Sequence, residues 1–182
     1  MRLREYRDAV VAGLRAAVPA LRDVQAHGGR FNLDELKRYS VNAPAARVAF
    51  AGMKPVTLDN VGRLIGPVNM AVYLVTAGRD GDAVLLDLIE ATAATIRMNQ
   101  WGLVDISAAR VETIENLYSS GAEAQGVHLA GVTFEQQLAF GGSLFAADET
   151  ADPWLDGLTG LPSLITPAID GVLQPGFEVP DA

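Results

Sequence analysis

The chain of 182 residues has no cysteine and only two histidines, His27 and His128. Without a thiol there is no disulfide framework, no thiolate metal site and no cysteine nucleophile, and the composition fits assembly in a reducing cytosol. Lysine and arginine are absent beyond Arg110. Long apolar runs are missing as well: the most extended, Val68 to Ala77, covers ten residues and contains Asn69, too short to cross a bilayer. Met1 to Val18 starts with arginines but is interrupted by Asp8 and Arg15, so it does not read as a signal peptide. A soluble protein with no membrane partner is expected. The net charge of −8 argues against general coating of nucleic acid, which needs cations to replace the counterions of the phosphate chain.

What is present points to one folded domain with an appendage. Hydrophobic residues make up 49% of the chain, enough for a sizeable core and too many for a disordered polymer. The charge is segregated. Up to Arg110 there are fourteen cations against eleven carboxylates, and beyond it no cation against eleven carboxylates. An even distribution would place about six cations in the second part, so the split calls for a reason rooted in partners.

Tyr6, Val10, Leu14 and Val18 recur at steps of three and four, which predicts an amphipathic helix over Arg4 to Val18, ended by Pro19. Leu21 to Ala26 reads as a short edge strand and His27 as part of the turn after it. Asn32 and Glu35 form a capping box for a short helix before Pro44. Ala46 to Met53 and Gly62 to Ala77 read as a hairpin, and the near-continuous apolar character of the second strand places it centrally in a sheet. Asp80-Gly81-Asp82 opens a helix with Leu85, Leu88, Ile89, Thr92 and Ile96 on one face. Ala109 to Tyr118 and Val127 to Phe140 form a second strand pair. In the latter Ala130, Val132, Phe134 and Leu138 alternate with Gly131, Thr133, Glu135 and Gln137, the period of a half-buried antiparallel strand. The order implies an α+β fold: a mainly antiparallel sheet with helices packed on one face, plus an extended C-terminal arm.

The division is expected at Gly141-Gly142, with residues 1–142 as the core domain and 143–182 as the arm. The arm holds five of the nine prolines and no base, yet carries Trp154, Leu155, Leu158, Ile165 and other apolar anchors. Proline forbids a long helix or central strand there, and the anchors need a protein surface to cover them. Asp152-Pro153 and Thr166-Pro167 each suit the start of a single-turn helix.

Chemical motifs are weak. Neither histidine stands in a triad setting, with His128 read as an outward or edge position. Asp148, Glu149, Asp152 and Asp156 lack the spacing of a calcium loop, Glu112 and Glu115 fall on opposite faces of a regular strand, and no glycine loop cradles a phosphate. No cofactor, metal or catalytic residue is assigned, and no enzymatic activity is expected. Arg2, Arg4, Arg7 and Arg15, by contrast, form a basic set that complements the acidic C-terminal region, as a head-to-tail contact between copies requires.

Phe31 to Arg38 running into Ala43 to Phe50, together with Val111 to Tyr118 followed by Gly126 to Phe134, resembles the tail terminator (tail completion) proteins of Mu-like tailed bacteriophages and prophages. The resemblance covers roughly residues 4–140 and rests on structural phrases of strand and turn. It implies a virion protein, assembled in the host bacterial cytoplasm, that forms a hexameric ring on the head-proximal end of the tail tube. There it ends tube growth and meets the tube protein, the sheath where one exists, and the head-tail connector or neck proteins. DNA would pass through the lumen without specific binding. Within that picture Arg4, Arg7, Trp154, Leu155, Leu158 and Ile165 are expected at subunit interfaces, and Glu112, Glu115, Glu123 and Glu135 facing the lumen. The alternative is a non-viral α+β domain that binds a small molecule or acts as an enzyme.

Overall fold

The computed structural model describes residues 3–29, 40, 42–117 and 126–141. The helix at Asn32, Glu123 and the whole arm, with Trp154, Leu155, Leu158 and Ile165, lie outside them. Within them the order is α1 (Leu3–Ala17), β1 (Asp23–His27), β2 (Ala45–Met53), β3 (Thr57–Leu58), β4 (Leu64–Ala77), α2 (Gly81–Ile96), β5 (Arg110–Asn116) and β6 (Val127–Phe140).

The sheet runs β1-β2-β4-β6-β5, with β3 paired beside β4. Its centre is β4, as a strand nearly continuous in apolar residues must be, since both of its edges are paired and most of both faces are covered. All pairings are antiparallel except β1 with β2, which is parallel and therefore needs a crossover, supplied by residues 28–44.

One face of the sheet is built from rows of cross-strand partners. Ala46, Leu74 and Ala130 form one row, Val48, Val72 and Val132 the next, and Met70 with Phe134 a third. Both described helices pack on this face, α1 over β1 and β2 and α2 over β4 and β6. The α1 stripe of Tyr6, Val10 and Leu14 is completely buried, as are Leu85, Leu88 and Ile96 of α2 to within 2%. Burial of each such aliphatic side chain contributes about 1.5–3 kcal/mol, so the two stripes hold the helices in place without strong intrinsic propensity. The fold is α+β, mainly antiparallel, with its described helices on one face.

The alternation of β6 carries one residue that reading by pattern passes over. Gln136 points inward between Phe134 and Leu138 and is 1% exposed. Its amide is fully used: Oε1 accepts from the Tyr6 hydroxyl at 2.8 Å and from Trp101 Nε1 at 2.7 Å, while Nε2 donates to the carbonyls of Asn99 at 2.9 Å and Ser107 at 2.7 Å. This node ties α1, the α2–β5 connection and β6 together. Burial pushes the Tyr6 phenol far above its ordinary range. The same connection holds Met98, Trp101 and Asp105 at positive φ, conformations that cost non-glycine residues free energy and that the surrounding hydrogen bonds sustain. Trp101 also lies against Gly13 of α1, where an added Cβ would come within 2.6 Å of its ring.

Candidate assembly surfaces

The two ends of the sheet differ. At the β1 end, Arg15 of α1 donates to the Val24 carbonyl at 2.6 Å, so a helix side chain occupies hydrogen-bonding capacity of this short edge strand. β1 is further fixed by Arg47 of β2, a buried cation paired with Asp23 at 2.5 Å and donating to the Ala46 carbonyl at 2.8 Å. Arg15 and Arg22 are exposed at this end; elsewhere on α1 Arg4 is exposed and Arg7 is half-buried, 3.7 Å from Asp8. Arg4 and Arg7, three residues apart, share one side of α1.

At the other end β5 pairs with β6 alone among the described strands, leaving its outer edge open. The register slips between Val111 and Thr113, a bulge that spends one extra residue on β5. Its consequence corrects the expectation from regular alternation. Glu115 sits opposite Gly131, on the same face as Glu135, and Glu112 reaches that face too, because Arg110 contacts Glu112 at 2.7 Å and Glu135 at 3.3 Å. Thr113 and Thr133 share a hydroxyl hydrogen bond of 2.7 Å beside them. Glu112, Glu115 and Glu135 thus lie together on the face away from α1 and α2, with Arg110, the last cation of the chain, among them.

Towards the helix side, the open edge of β5 borders a groove of about 1000 Å³ against the outer surface of α2. Leu86, Ile89, Ala93, Met98, Val111 and Ile114 line it together with Glu90, Arg97 and Arg110, the last with its guanidinium turned to Glu112 and Glu135. Leu86 is 61% exposed, Met98 72% and Ile114 49%. A second apolar surface lies where β2 ends and β4 begins, with Phe50, Val56, Leu58, Val61 and Leu64 exposed. There the Asp59 carboxylate accepts from the backbone of Val61 and Arg63 and from Arg63 Nε at 2.7 Å; the Arg63 bond holds its pKa below the ordinary carboxylate range.

Catalytic arrangements do not emerge among the described residues. His27 is the buried last residue of β1 and not part of the turn after it. His128 lies on the helix-bearing face and not outward: a Cβ on Gly81, the first residue of α2, would come within 2.6 Å of its Cδ2. The two histidines are held by different elements, and no group of three metal-ligating side chains exists among the described residues. No helix of the described residues is long and apolar enough to cross a membrane.

Pattern reading put Glu112 and Glu115 on opposite faces because it could not see the bulge, and it missed the groove, since Leu86 and Ile114 belong to elements that only the tertiary fold brings side by side. It also missed the Gln136 node, for which a polar residue in the inward register of β6 was the available signal.

Comparison with known proteins adds little. No family model and no curated protein matches the chain. Among solved structures, the chain is similar to a chain from the virion of a native gene transfer agent particle, with a TM-score of 0.49 and 13% identity over 74% of this chain and 94% of that one. A likeness at that level carries no argument about role.

Proposed function

We propose that this chain is a structural subunit of a phage-type tail, a terminator that closes into a ring at the head-proximal end of the tail tube and offers a docking surface to the neck. The observation that carries the reading is the inequality of the two sheet ends. At one end Arg15 of α1 bonds the Val24 carbonyl of the edge strand β1, while the edge strand at the other end, β5, borders an apolar groove on one face and carries carboxylates on the other. Two different surfaces on one subunit favour heterologous contacts, and heterologous contacts of suitable angle close into rings. The resemblance of residues 111–118 and 126–134 to the terminator family supports it, since those phrases supply the open strand and its partner.

In this reading residues 1–142 form the core and 143–182 the arm that reaches a neighbour. Arg4 and Arg7 face the acidic C-terminal region of the next copy, and Glu112, Glu115, Glu123 and Glu135 face the lumen, where their charge repels passing DNA. Native mass spectrometry combined with electron microscopy tests this: closed rings of six copies are expected, and a monomer at micromolar concentration refutes it. The second reading, a small-molecule-binding domain, draws on the apolar groove. It expects a monomer or dimer whose melting temperature rises with an amphipathic ligand.

A further inference from the structure

Nine large apolar side chains are exposed among the described residues, and eight of them gather on two surfaces. Leu86, Met98 and Ile114 belong to the groove between α2 and β5, and Phe50, Val56, Leu58, Val61 and Leu64 to the hairpin of residues 53–64 and the strand ends beside it. Grouping of this kind marks a contact surface, whereas single exposed apolar side chains are ordinary. The two surfaces lie at opposite edges of the sheet, because β3 pairs beside β4, β5 pairs beside β6, and β4 and β6 stand between them. At roughly 4.8 Å per strand spacing the separation is about 14 Å, so the hairpin does not fold onto the groove of its own copy. Each surface also carries a strand edge unpaired among the described strands, β3 on the hairpin and β5 along the groove.

We infer that the hairpin of residues 53–64 seats in the α2–β5 groove of an adjacent copy, with Leu58, the most exposed of its apolar side chains, against Leu86 and Met98. This deepens the ring reading and rests on it, since a contact between opposite edges of one subunit is heterologous, the kind that closes a ring. Charge selects the hairpin. α2 carries Asp82, Asp87 and Glu90 and no base, and Glu90 is the one of these that lines the groove. Arg110 adds little, because its guanidinium is turned to Glu112 and Glu135, and Arg97 sits exposed at the rim. An acidic occupant would set its carboxylates against Glu90. The hairpin brings the opposite sign: Asp59 and Arg63 neutralise each other within it, which leaves Lys54 as its uncompensated charge. Neither Lys54 nor Glu90 has an ion-pair partner among the described residues, so each is available to the other. The hairpin is also preformed, its turn closed by the Asp59 carboxylate accepting from the backbone N–H groups of Val61 and Arg63, so docking requires little further ordering.

The test uses the full-length chain carrying a benzoylphenylalanine photocrosslinker at position 58, assembled from an equal mixture of nitrogen-15-labelled and unlabelled copies. Mass spectrometry then reads both the captured segment and whether it belongs to another copy. Crosslinks from position 58 to residues 86–98 or 110–116 of a differently labelled copy are expected. An assembled chain that crosslinks only within one copy, or to α1, β1 or residues 143–182 of another copy, overturns the assignment while leaving a ring intact. A chain that is monomeric and forms no intermolecular crosslink overturns the ring reading as well. As a second measurement, Lys54→Glu and Glu90→Lys, both at exposed positions, are each expected to leave the circular dichroism spectrum unchanged and to raise the dissociation constant of assembly about fivefold. The double reversal is expected to return it towards the parent value. Single variants that assemble like the parent, or a double variant no tighter than the weaker single one, refute the groove as the seat of the hairpin.

Discussion

Replacing Gln136 by methionine keeps its volume and removes every hydrogen bond of the node. The side chain is 1% exposed and serves four partners, so the substitution strands the Tyr6 hydroxyl, the Trp101 indole N–H and the carbonyls of Asn99 and Ser107. A buried polar group left without a partner costs about 1–3 kcal/mol. Trp101 and the α2–β5 connection are only partly buried and regain some water, which brings the expected total to roughly 3–5 kcal/mol rather than the full sum. Against a stability of about 5–15 kcal/mol for a domain, this is a large loss. At roughly 2–4 °C per kcal/mol for a chain of this size, it lowers the melting temperature by about 10 °C. Urea unfolding followed by circular dichroism, at one fixed protein concentration for all variants, measures it. Gln137→Met, one residue along and exposed on the other face, is the control and is expected to change stability by less than about 0.5 kcal/mol. A loss below about 1 kcal/mol for Gln136→Met would refute the claim that the amide holds α1, the α2–β5 connection and β6 together.

The remaining predictions probe the same architecture and the charge split. Gly13→Ala gains up to about 1 kcal/mol of helix propensity but drives a methyl into Trp101; a net loss of about 1–3 kcal/mol is expected in urea unfolding, and a stabilised variant would show that the contact yields freely. Tyr6 has its phenol pKa raised by burial, so its contribution is fully present below the unfolded value of about 10 and is lost as pH climbs above it, by up to about 1.4 kcal/mol per pH unit. Tyr6→Phe should flatten that alkaline decline, and an identical slope in both proteins contradicts the assignment. Reversing Arg4 and Arg7 to glutamate should weaken assembly, and added salt should weaken it in the parent, since exposed charges are screened over about 8 Å at physiological ionic strength. Reversals at Asp148, Asp152 and Asp156 should partly rescue the double arginine variant; a failure to rescue separates those two surfaces.

Elements defined by local chemistry were legible from the residues alone. The α1 stripe ends where Pro19 makes it end, β4 declares itself by its near-continuous apolar run, and β6 by alternation. What depended on distant contacts was not legible. The parallel pairing of β1 with β2 follows from a crossover whose course is not written in the residues of either strand. The bulge at Val111–Thr113 carries no glycine to announce it, yet it decides that Glu112 and Glu115 share a face. The left-handed conformations of Met98, Trp101 and Asp105 are likewise unannounced by residue type, because the surrounding hydrogen bonds and not local preference sustain them. For the candidate surfaces, the segregation of charge was plain from counting, whereas the groove exists only once Leu86 and Ile114 are brought together.

The central claim is that one subunit presents two unequal surfaces that join head to tail in a closed ring. Native mass spectrometry of the full-length chain across a range of salt concentrations tests it most directly. The account predicts a dominant hexamer that dissociates progressively as salt rises. A monomer or an isologous dimer at every salt concentration would contradict it.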